Sequence, residues 1–200
     1  MLKLAGELLE GQLADHIARL DAHTKNPREV GRTGEYIQPF VLAGSYLTQT
    51  AMVANTLYAV PFLAARDMTV DRIAVNVITA ASGKSARMGV YKDGTNLYPG
   101  SLLLDAGEVS VDTGGVKAIT INQALPKGLY WLAIVSNGTP TIRTIYYPHT
   151  ILGINSAHTS FQVGWSVSHS YAALPDPLTA GGNITVDHPF CIALRLASLN

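Results

Sequence analysis

The chain has 200 residues, a formal net charge of zero and charged side chains at only 14% of positions. That length is one ordinary domain, or one plus an appendage, with room for a real core. The few, scattered and balanced basic residues argue against a nucleic-acid partner, and so charge-poor a surface suits a subunit that hides much of itself in an assembly.

The single Cys191 excludes an intrachain disulfide and a cysteine-rich zinc site. Set in His188-Pro189-Phe190-Cys191-Ile192-Ala193-Leu194, it reads as a buried apolar thiol rather than a nucleophile. No run reaches the length of a membrane span and no basic-then-apolar leader opens the sequence, so neither membrane insertion nor signal-directed export is expected.

In chain order, Leu2 to about Thr24 carries helical periodicity, and Leu9, Leu13, Ile17 and Leu20 form its apolar stripe. Pro27 ends the pattern. At about three heptads the helix is short to stand alone, so the stripe needs a partner. It either packs on its own β-domain or joins a small bundle between identical chains, and the bundle is the preferred reading. His16 and His23 would then stack as two rings able to hold an anion or metal; polar heptad positions are the simpler account, and no metal or cofactor is expected.

Lys25 to Gly34 is polar and rich in turn formers, so residues 1–34 read as helix plus linker. Residues 35–55 have no clean period and contain Pro39; they form either an extended arm or the first strand. Residues 56–200 read as the β-domain. Thr56–Ala65 and Thr69–Thr79 are strands, the second with Ile73, Val75 and Val77 on one face.

Ser85 to Ser136 is the most regular stretch. Ala86, Met88 and Val90 alternate with Arg87, Gly89 and Tyr91; Asp93-Gly94 and Pro99-Gly100 read as turns, and Leu102–Leu104 as a short buried run. Val116–Asn122 is a further strand. Pro126-Lys127-Gly128 turns the chain into the apolar run Leu129–Ser136. After Thr141–Tyr147, residues 148–180 are rich in Gly, Ser, His, Tyr and Pro and read as irregular, which suits a functional surface or an interface. Asp187–Ala197 closes the chain as a strand returning to a sheet interior. The sum is a mainly β fold, an antiparallel, jelly-roll-like β-sandwich with Greek-key connections, preceded by an α-helix.

The run Ala86-Arg87-Met88-Gly89-Val90-Tyr91, then Asp93-Gly94, then Pro99-Gly100-Ser101-Leu102-Leu103-Leu104-Asp105-Ala106-Gly107, then Gly128-Leu129-Tyr130-Trp131-Leu132-Ala133, resembles a module of tailed-bacteriophage virion proteins of the tail-fibre, head-fibre and decoration type. Ile192-Ala193-Leu194-Arg195-Leu196 resembles their last strand. The likeness covers about residues 65–197 and is weakest over 147–187. It implies a trimeric β-sandwich attached to a particle, among other virion proteins, by its N-terminal region.

No catalytic constellation stands out. Asp105 and Glu108 flank an expected turn, no acid pair has the setting of a glycosidase, and neither a Gly-x-Ser-x-Gly elbow nor an HExxH is present. An enzyme is not expected. Binding is better supported. Trp131 reads as core, whereas Trp165, Tyr146, Tyr147, His149, His169 and Tyr171 form an aromatic and imidazole-rich group suited to stacking on a host surface glycan or to contact between chains.

Overall fold

The computed structural model describes residues 31–37, 46–146, 152–186 and 188–199. The expected helix over Leu2–Thr24, with Leu9, Leu13, His16, Ile17 and Leu20, lies outside these residues. Among the described residues there is no helix. The strands are β1 Tyr36–Ile37, β2 Tyr46–Ala51, β3 Thr56–Ala64, β4 Met68–Thr79, β5 Ser85–Asp93, β6 Pro99–Ser110, β7 Gly115–Leu125, β8 Gly128–Ser136, β9 Thr141–Tyr146, β10 Gln162–Ser168, β11 Asn183–Val186 and β12 Ala193–Leu199.

They form two antiparallel sheets. The first runs β1-β12-β4-β9-β2, with β7 along the opposite edge of β4; the second runs β11-β10-β3-β8-β5-β6. The final strand does return to a sheet interior, between β1 and β4. Strands adjacent in sequence mostly belong to different sheets: β3 and β4, joined by Ala65-Arg66-Asp67, face each other across the core rather than pairing.

Period-two patterning fixes what lies between the sheets. Val60, Phe62 and Ala64 of β3, Ala86, Met88 and Val90 of β5, and Leu132 and Ile134 of β8 meet Val70, Ile73, Val75 and Val77 of β4 and Leu194 and Leu196 of β12. Val70 and Ile73 are an odd number of residues apart yet both point inward. The β4–β7 register shifts between Val70 and Arg72, and that irregularity reverses the alternation. On the outside of the first sheet, Arg195 grips Asp71 with two contacts, Nε at 2.7 Å and Nη2 at 2.6 Å, and this holds the Asp71 carboxyl below the usual carboxylate range.

The run Leu129–Ser136 is apolar at every position but its last because both faces of β8 are buried. Tyr130, Leu132 and Ile134 face the sandwich interior. Trp131, Ala133 and Val135 face the other way and join Leu57, Ala59, Tyr91, Leu174 and Leu178 in a second apolar cluster on the outer side of that sheet. Trp131 is fully buried there, and its indole Nε1 donates to Asp93 Oδ1 at 2.8 Å.

One expected turn is misplaced. Pro99-Gly100 opens β6 instead of reversing the chain. The reversal lies at Asn96-Leu97, both with positive φ (55° and 53°), closed by Gly94 N–H donating to Tyr98 O at 2.8 Å. Proline is tolerated at the first residue of a strand, and this one needs no turn. A leucine at positive φ is strained, because its Cβ crowds the carbonyl that follows. Leu97→Gly supplies the Asn-Gly pair that such a turn favours and is expected to raise stability by about 1 kcal/mol. A lower urea midpoint for this variant would show that the Leu97 side chain, 37% exposed, packs more tightly than its exposure indicates.

Candidate functional site

The outer face of the second sheet is where polar and aromatic side chains converge. Residues 169–182 cross it as an irregular strap. The strap runs antiparallel to β6, and its contacts step along that strand in register. Tyr171 Oη donates to Glu108 Oε2 at 2.7 Å, Leu174 N to Asp105 Oδ2 at 3.1 Å, and Leu178 N to Gly100 O at 3.1 Å. Leu102 N donates to Asp176 Oδ1 at 2.8 Å, and Tyr91 Oη to Pro175 O at 2.9 Å. The strap thus blocks part of the free edge of β6, an edge that would otherwise invite pairing with another chain.

Charge at this site is arranged in a short chain. Asp105 accepts both contacts from Arg87 Nη1, each at 2.8 Å, and also the Gly107 amide at 3.0 Å. Burial, followed by the charges of Asp105 and Asp176, pushes the Tyr91 hydroxyl well above the ordinary tyrosine range. Burial and then the Glu108 carboxylate do the same to Tyr171. Both phenols are therefore held as donors, Tyr91 to the strap and Tyr171 from the strap to Glu108. Asp105 and Glu108 lie in β6 beside a bulge at Gly107, not at a turn, and their oxygens are engaged in holding structure.

Trp165 sits in β10, paired with Ala59 of β3 and Ile184 of β11. The region expected to be irregular therefore contains a strand pair. Its half-buried ring packs edge-on against Tyr98, with centroids 4.8 Å apart and planes 67° apart, and its Nε1 donates to Leu97 O at 2.8 Å. Tyr98 also bonds the far end of the strap: its hydroxyl accepts from Gly182 N at 3.1 Å and donates to Thr179 O. Exposed Leu97 and Ile184 flank the pair. No local signal in the sequence marks Tyr98 as the partner of Trp165.

The other sequence-selected residues divide. Tyr171 belongs to the strap, its amide donating to Asn55 Oδ1 at 3.0 Å, and the His169 amide donates to Asn55 O at 2.9 Å. Tyr146 ends β9 in the first sheet, where its ring stacks on His188 at 4.7 Å, so it belongs to a different sheet from Trp165. Tyr147 and His149 lie outside the described residues. Cys191 is buried, and burial pushes its thiol up to about 11, so it is protonated and inert at neutral pH. Among the described residues no group of three or more His, Cys, Asp or Glu is placed to hold a metal ion.

No protein-family model matches the chain. No curated protein matches it. Among solved structures it is similar to the structure of infectious bursal disease virus Gx strain, at a TM-score of 0.30 and 12% identity over 81% of this chain and 40% of that one. It is similar also to the crystal structure of the infectious bursal disease virus VP2 subviral particle, at a TM-score of 0.32 and 11% identity over 81% and 41%. The chain thus spans about two fifths of the length of the chains it matches. Overlap this slight carries no argument about function.

Proposed function

We propose that the chain is a structural subunit of a bacteriophage virion, a homotrimeric fibre or decoration protein attached to other virion proteins through its N-terminal region and displaying the β-sandwich. The observation that supports this reading is where the blocks of the resemblance fall: three lie on β5, β6 and β8, hydrogen-bonded neighbours in the second sheet, and the last reaches β12 in the first. Exposed Leu47, Val53, Val116 and Phe161 on a charge-poor surface suit burial between copies. The module does no chemistry of its own in this reading, because Asp105 and Glu108 are committed to Arg87 and the strap.

A second reading, recognition of a host surface glycan, is favoured by the edge-on Tyr98–Trp165 pair, since partly exposed aromatic rings are the usual platforms for sugar faces. One pair of experiments separates the two. Antibody raised to the chain should label purified phage particles at discrete positions, and particles without label would overturn the structural role. On a glycan array, binding by the wild type that disappears in Trp165→Ala, with the circular dichroism spectrum unchanged, supports the second reading; an array without hits removes it.

A further inference from the structure

The strap over residues 169–182 covers an apolar surface that the sandwich does not need covered in order to exist. Both sheets pair their strands without it: β8 pairs β3 and β5, and β5 pairs β6. Beneath it lie Leu57, Tyr91, Trp131 and Val135, all fully buried. The strap itself contributes two buried side chains, Leu174 and Leu178. Its remaining attachments are single polar contacts, most of them to side chains: Asn55, Glu108, Asp105, Tyr91 and Tyr98.

We propose that residues 169–182 are a separately opening cover, which lifts from β5, β6 and β8 while the sandwich stays folded and so bares a concealed apolar face. Units open independently when no strand ladder ties them to the rest, and no strand pairing joins the strap to either sheet. The pieces that hold it are distributed along its length, from Asn55 and Glu108 near one end to Tyr98 at the other. Loss of one contact therefore loosens the cover without removing a strand. The outer sheet face is apolar as built, so its exposure turns a well-covered subunit into one with a large sticky surface.

Hydrogen exchange on the full chain, followed by mass spectrometry at neutral pH, tests this. Amides of Leu174 and Leu178 are bonded, to Asp105 and Gly100, so they exchange only on opening. Peptides spanning residues 172–180 are expected to exchange about 100-fold faster than those of β8 once corrected for intrinsic rates. Tyr91→Phe, which deletes the hydroxyl bonded to Pro175 O, should speed the strap peptides by a further factor of about 5. Equal exchange of strap and β8 in the wild type would mean that the cover opens only when the whole domain unfolds, and an unchanged strap rate in the variant would mean that its polar contacts do not hold it; either result would overturn the proposal.

Discussion

Trp131→Ala is expected to destabilise the domain by about 4 kcal/mol, seen as a large fall in the urea midpoint with an unchanged slope. The ring is fully buried on the outer side of β8, among Leu57, Tyr91 and Val135, and under the strap. Removing it leaves a cavity that the sheet backbone cannot close. It also takes the indole donor away from Asp93 and leaves that carboxylate without the partner it holds at 2.8 Å. Since small domains are stable by only about 5–15 kcal/mol, this one side chain decides a large share of the total. Trp131→Phe should cost distinctly less, because most of the volume stays and only the Asp93 contact is lost. A loss under about 1 kcal/mol for the alanine variant would show that the outer cluster is a loose surface and not a second core.

Gly89→Ala is expected to cost about 3 kcal/mol through overpacking. A Cβ at this position of β5 would overlap both the Leu104 carbonyl oxygen of β6 and the Leu174 Cδ1 of the strap. The leucine end can turn away, but the carbonyl is fixed by the sheet. The register of β5 and β6 already shifts between Met88 and Gly89, so the backbones are close here for a structural reason. The double variant Gly89→Ala/Leu174→Ala separates the two contacts. If the carbonyl dominates, as expected, truncating Leu174 brings no recovery in urea denaturation; recovery to near the Leu174→Ala level would place the conflict in the strap alone.

Where apolar periodicity was strong, the sequence showed the fold almost strand by strand. Ala86, Met88 and Val90 do face the interior, Ile73, Val75 and Val77 do share a face, and the unbroken run Leu129–Val135 belongs to a strand buried on both sides. The signal for β10 was present as well: Val163, Trp165 and Val167 alternate with Gly164 and Ser166, but the surrounding Gly, Ser and His masked it. Pro99-Gly100 misled because both residues favour turns, while the actual reversal uses Asn96 and a leucine that sequence rules place elsewhere. The strap was legible only as irregular chain. Its partners lie 63 to 116 residues away, and nothing local pairs Tyr171 with Glu108 or Pro175 with Tyr91. The aromatic group gathered from sequence divides between two sheets for the same reason: neighbours along the chain cross from one layer to the other.

Native mass spectrometry of the intact chain tests the proposed assembly most directly. Each chain is 21.3 kDa, and a homotrimeric virion subunit should give a dominant species of three times that mass. A dominant species of 21.3 kDa across the micromolar range would contradict it.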